Sequence, residues 1–225
     1  MLVKNWMSKE AITVDINGSM QDATKLLKEN DIRMLPVMKR GELVGIITDR
    51  DLKRASASDA TTLQVHELLY LLSSIKIKEI MTKDPITVPF DYTIEETSEI
   101  LLQNKISGVP VVDHDGNMVG TITDTDLFMA LISLTGLAER GIQFALKLED
   151  KPGSIKEVTD IIRKYGGRMA SILSSYDRIE KGYRKAYIRM YGIDRSKLQE
   201  LKEELQDKAV LLYMVDLREN IREIY

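Results

Sequence analysis

The chain has 225 residues, 44% apolar and 30% charged, with a formal net charge of −3. That balance suits one large or two ordinary globular domains, and an acidic chain without a basic stripe is a poor general binder of nucleic acid. There is no cysteine and there are two histidines, which excludes disulfides and thiolate chemistry and leaves little for a zinc site.

The opening MLVKNWMSKE lacks the apolar stretch of a secretory signal, and the longest apolar runs, near 65–75 and 127–137, are short and interrupted. The expectation is a cytoplasmic protein that does not enter a membrane.

In chain order, residues 11–14 predict a short strand. Ser19 stands where it can cap the next helix, which has apolar residues at Ala23, Leu26 and Leu27. Residues 34–38 and 43–48 predict a hairpin around Gly41. The phrase GIITDRDL, Gly45 to Leu52, ends that strand and opens another helix. Residues 55–62, ASASDATT, predict a loop. Residues 63–75 predict an amphipathic bridging helix that sets His66 beside leucines.

The order then repeats. Residues 85–88 match 11–14, Thr93 stands where Ser19 did, and Pro110-Val111 matches Pro36-Val37. GTITDTDL, Gly120 to Leu127, differs from the first phrase at two places. Matches spread over some fifty residues indicate a duplicated β-α-β-β-α unit. One such unit cannot easily bury both faces of its sheet, whereas two can pack as a pseudo-twofold pair. Trp6, aligned with Ile80, is expected in packing, and His114 in an exposed hairpin turn.

After Gly136 the pattern changes. Strands are predicted at 142–148, 169–176, 184–191 and 209–217, with helices over 154–165 and from Asp194 to Gln206. This β-α-β-β-α-β order is that of a ferredoxin-like fold. The fold class is therefore α+β, with units at 1–58 and 76–136, a bridge at 59–75, a third domain at 137–217 and a tail at 218–225.

The first 135 residues resemble a tandem CBS pair, or Bateman module. Leu35-Pro36-Val37, Val109-Pro110-Val111 and the two G-x-h-T-x-x-D-h endings carry the match. The later part resembles an ACT domain through its D-x-P-G turn, Asp150 to Gly153, and Gly167 after the helix. The CBS–CBS–ACT order, with RDLKRASAS at 50–58, is similar to AcuB-type acetoin-utilisation proteins. The resemblance implies a regulatory module binding adenine nucleotides between its repeats, with ATP, ADP, AMP or S-adenosylmethionine as candidates. No cofactor is required. Carried over, the first site holds Thr48, Asp51, Ala11, Ile12, Leu35 and Pro36, with Arg50 near phosphate. The second holds Thr123, Asp126, Pro85, Ile86, Val109 and Pro110, with Gly108 leaving room for adenine. The ACT likeness implies amino-acid binding at Asp150, Gly153 and Ser154, a homodimer and control of an unnamed protein partner.

Each residue also has a plainer reading. T-x-x-D is a capping box that closes a helix, although a carboxylate at a helix N-terminus also suits a ribose diol beside phosphate. Arg50, Lys53, Arg54 and Arg33 can face phosphate or only solvent. Pro152-Gly153 can simply turn the chain. The functional alternatives are a dimerisation scaffold that binds no ligand and an enzyme of acetoin turnover. The latter is disfavoured, because Asp49/Asp51 and Asp124/Asp126 sit at i, i+2 on different helix faces and no catalytic motif is present.

Overall fold

The computed structural model describes residues 1–59 and 74–225. The bridging helix with His66 lies almost wholly outside the described residues. Contacts divide the chain into two units, Met1–Ala130 and Leu131–Tyr225.

In the first unit, β1 (Val14–Asp15) precedes α1 (Met20–Glu29). The Ser19 hydroxyl accepts the Asp22 N–H at 3.1 Å, and the Asp22 carboxylate accepts the Ser19 N–H at 2.9 Å, closing the first turn of α1. Ala23 and Leu27 turn its apolar face inward. β2 (Met34–Lys39) runs parallel to β1 and antiparallel to β3 (Glu42–Thr48). Arg40 and Gly41 join them with φ of 52° and 89°, the left-handed pair that tight hairpins favour. α2 (Asp49–Asp59) follows and continues through 55–59, where a loop was expected. Alanine and serine do not stop a helix as glycine or proline would.

α3 (Ile77–Ile80) and β4 (Thr82–Lys83) open the second repeat. β5 (Val88–Pro89), α4 (Ile94–Asn104), β6 (Gly108–Val112), β7 (Met118–Thr123) and α5 (Asp124–Leu134) repeat the first pattern. Thr93 and Glu96 form the equivalent capping box. The ladders slip at Val37/Met38 and at Val111/Val112, which are matching positions. The strands expected over 11–14 and 85–88 are two residues long, because the segments before them are committed elsewhere.

Those leading segments are exchanged. β4 pairs with Gly45 and Ile46 of β3 in the first repeat, and Ile77, Ile80 and Met81 pack into the first core with Leu35, Val37 and Ile47. Reciprocally, Ser8 pairs with Thr121 of β7. Val3, Trp6 and Met7 join the second core with Val109, Val111 and Ile122, so Trp6 packs as its alignment suggested. Glycine permits the exchange. A Cβ on Gly45 would stand 2.7 Å from the Met81 sulfur, and one on Gly120 would stand 2.5 Å from the Ser8 carbonyl oxygen. The glycine opening each repeated octet admits the other repeat's leader.

The second unit runs β8 (Ile142–Glu149), α6 (Ser154–Lys164), β9 (Arg168–Ser175), β10 (Tyr183–Tyr191), α7 (Leu198–Gln206) and β11 (Val210–Asp216). Its sheet is antiparallel, in the order β12 (Ile221–Ile224), β11, β8, β10, β9. Phe144, Leu146 and Ile188 from the sheet meet Val158, Ile162, Leu201 and Leu205 from the helices in one core. Residues 218–225 are not a free tail. Asp216 accepts the N–H groups of Arg218 and Glu219, turning the chain, and β12 (Ile221–Ile224) returns along β11.

Candidate functional site

At the first strand-to-helix joint, Asp51 Oδ2 accepts the Thr48 N–H at 3.0 Å and the Thr48 hydroxyl at 2.6 Å. The Asp51 N–H reaches back to Thr48 Oγ1 at 3.3 Å. At the second joint, Asp126 Oδ2 accepts the same two donors of Thr123 at 2.8 and 2.7 Å. The reciprocal cap is complete at the first joint, and at the second the Asp126 carboxylate half of it is formed. It occupies one carboxylate oxygen, and Asp126 Oδ1 accepts no hydrogen bond among the described residues.

A cleft of about 490 Å³ opens over the second joint. β7 and the start of α5 give it Thr121, Thr123, Asp124 and Asp126, and the entry to β6 gives Ser107 and Gly108. The first repeat closes it with Ile12 and Arg33. The exchanged leader explains the mixture: pairing Ser8 with Thr121 carries the following residues, Glu10 to Ile12, across to the second joint.

Ile12, Gly108, Thr123 and Asp126 are thus brought together, with Ala11. Thr48, Arg50, Asp51, Pro85 and Ile86 are not in this cleft. Ala11 and Ile12 line this cleft with Thr123 and Asp126. Arg33-Met34 and Ser107-Gly108, which the alignment treats as counterparts in separate sites, line the same cleft. Leu35 and Val109 are 0% and 1% exposed, and Pro36 and Pro110 are also buried. All four are absent from its lining, because β2 and β6 are buried on both faces and reach the cleft only at their N-terminal ends. Gly108 is needed for packing, since a Cβ there would stand 3.0 Å from Thr123 Cγ2 and 3.1 Å from the Ile122 carbonyl oxygen.

Several lining residues escaped the sequence reading, among them Ser8, Glu10, Asp31 and Thr121. Their signal is the register of the exchanged leader, which no local motif encodes. At the first joint, Lys53 Nζ donates to Asp49 at 2.9 Å, and this hydrogen bond holds the Asp49 carboxyl below its ordinary value against the opposing effect of burial. Arg50 is exposed and His114 is exposed in its turn, 3.7 Å from Asp91.

In the second unit, Asp150, Gly153 and Ser154 share the loop entering α6. Asp150 Oδ1 is held by the Arg184 guanidinium and accepts the Tyr176 hydroxyl at 3.3 Å. Gly153 has φ of 91°, which glycine adopts freely. Ser154 is 6% exposed, and its hydroxyl has no hydrogen-bond partner among the described residues.

The CBS domain family model matches residues 3–58 and 77–133, half of the chain. The chain belongs to the CBS domain family. The two matches form a tandem CBS pair. A CBS domain-containing protein of Dictyostelium discoideum is 34% identical over 135 residues, 60% of this chain and 93% of its own length. An inosine-5′-monophosphate dehydrogenase of Korarchaeum cryptofilum is 34% identical over 125 residues, 56% of this chain but 23% of the enzyme, so the likeness covers only a minor part of that enzyme. Among solved structures, the CBS domain pair of protein MJ0100, in complex with 5′-methylthioadenosine and S-adenosyl-L-methionine, is 34% identical. It has a TM-score of 0.50 over 58% of this chain and 99% of its own. The Vibrio cholerae protein named AcuB, for acetoin utilization, is 28% identical with a TM-score of 0.52, over 62% of this chain and 96% of its own.

Among the described residues, no group of three or more His, Asp or Glu is placed to hold a metal ion, and no helix is long and apolar enough to cross a membrane.

Proposed function

We propose that this protein is a regulatory sensor that binds an adenosine-containing ligand between its CBS repeats. One observation carries the reading: Ile12 of the first repeat meets Gly108, Thr123 and Asp126 of the second in a single cleft. Ile12 offers an apolar wall for a base, and Asp126 Oδ1 offers a charge-assisted acceptor for a ribose hydroxyl. The ligands of the MJ0100 pair support an adenosine derivative. Because both repeats line the cleft, a ligand there acts on their relative arrangement through its differential affinity for the two states. We read Thr48, Asp51 and Arg50, with Ile86, as the related first site.

We read the second unit as a ferredoxin-like, ACT-like domain with an amino-acid site at Asp150, Gly153 and Ser154. Its β-α-β-β-α-β order and the buried hydroxyl of Ser154, unpartnered among the described residues, support this. The likeness to the Vibrio cholerae protein supports a place in acetoin utilisation. A homodimer controlling a protein partner fits the exposed apolar residues of α5, including Phe128 at 62% and Ile132 at 49%. These residues also favour the second reading, a scaffold that binds no ligand.

A thermal-denaturation panel of adenine compounds and amino acids separates the readings. A ligand at a hundred times its Kd adds about 2.7 kcal/mol, and the shift should vanish in Asp126→Ala. A midpoint that no adenine compound moves would overturn the sensor reading in favour of the scaffold.

A further inference from the structure

The cleft over the second joint has an unusual charge balance for a phosphate site. Glu10, Asp31, Asp124 and Asp126 line it, and among the described residues Arg33 is the one cation in its lining. None of the four carboxylates makes an ion pair among the described residues. Arg33 also acts on Asp49, outside the cleft, and helps to hold that carboxyl ionised.

The joint itself lacks the groups that a phosphate needs. Arg50, Lys53 and Arg54 at the start of α2 correspond to Thr125, Phe128 and Met129 at the start of α5. A helix N-terminus ordinarily offers free amides to an anion. Here Asp124 Oδ1 already accepts the Thr125 N–H at 2.8 Å. A protein carboxylate therefore stands where a phosphate oxygen would have to compete.

We propose that this cleft takes an adenosine derivative with an uncharged or cationic 5′ substituent and rejects nucleoside polyphosphates. The inference rests on the adenosine reading above and adds the class of ligand. Like charges gathered in a concave site repel an incoming anion more strongly than scattered surface charges do, and the repulsion weakens as salt shortens the Debye length. A neutral thioether and a sulfonium share the required chemistry. The sulfonium alone gains further from the carboxylates.

Titration calorimetry on the full chain tests this with 5′-methylthioadenosine, S-adenosylmethionine and ATP, at low and high salt. Asp126→Ala identifies the heat that belongs to this cleft. In that Asp126-dependent component, ATP should bind at least tenfold more weakly than methylthioadenosine, with the gap narrowing at high salt. Glu10→Gln with Asp31→Asn should weaken S-adenosylmethionine severalfold and leave methylthioadenosine unchanged. Thr125→Arg, at an exposed position that keeps the Thr123–Asp126 cap, should narrow the ATP gap severalfold. Asp126-dependent ATP binding as tight as that of methylthioadenosine overturns the ligand class while leaving the adenosine site standing. Absence of Asp126-dependent heat with all three compounds overturns the adenosine reading itself.

Discussion

Ser8 and Thr121 donate their backbone N–H groups to each other's carbonyls, at 2.9 and 3.0 Å. This reciprocal pair joins the start of one CBS repeat to the last strand of the other, and it depends on the bare Cα of Gly120. Gly120→Ala should cost about 2 kcal/mol, the scale of overpacking. Gly116→Ala should cost about 1 kcal/mol, because φ there is 84° but nothing lies within 4 Å of the added methyl. Urea denaturation compares them, and equal costs would sink the close-approach argument.

Asp126 has two duties in the proposed scheme. Its cap to Thr123 exists without any ligand, so Asp126→Ala should lose about 1 kcal/mol of apo stability. Thr123→Ala should lose a similar amount. If apo Asp126→Ala proves as stable as the parent, the cap contributes nothing and the carboxylate is free for another role.

Asp216, 1% exposed, accepts Arg195 Nε and Nη2 at 2.8 and 3.0 Å. Arg195 is the main cause holding its carboxyl below the ordinary value of 3.8. The unfolded chain therefore binds the proton more readily than the folded one. The resulting stability is fully present above about pH 4 and drains away as pH falls through the folded value. Asp216→Ala should cost about 3 kcal/mol at neutral pH and flatten the acid limb of the stability curve. An unchanged acid limb in the variant would show that other carboxylates govern it.

Arg189 is 5% exposed and makes no ion pair with a carboxylate among the described residues. Its Nε donates to the Thr135 carbonyl and its Nη2 to Gln143, while Nη1 is unpaired among the described residues. Burial pushes the guanidinium below its usual value. The Thr135 carbonyl also accepts the Ser171 hydroxyl at 2.8 Å, so removing the arginine does not orphan it. Arg189→Met should leave the protein as stable or raise stability by about 1 kcal/mol. A loss above 1 kcal/mol would show that the buried charge is compensated.

What the sequence disclosed was local. The caps at Ser19 and Thr93 and the T-x-x-D joints lie within four residues, and duplication made each legible twice. The face presented by Leu35-Pro36 or Val109-Pro110 was not legible, because a strand buried on both sides reads like one that lines a pocket. Nor was the crossed assignment of Ile12 to Asp126, since it depends on a ladder between segments far apart in the chain. The glycine opening each octet was the available clue. The strand at Ile221–Ile224 was hidden by its charged centre and by a turn built on Asp216.

The exchanged leaders also set an order of events during synthesis. Ser8 leaves the ribosome more than a hundred residues before Thr121, roughly ten seconds at ordinary elongation rates. In that interval the first leader carries Val3, Trp6 and Met7 with their docking core unmade. The first repeat can meet its own borrowed segment, β4, much sooner. The two halves repeat one pattern, yet they mature at different times, and the cleft over the second joint is completed only after the second repeat has emerged.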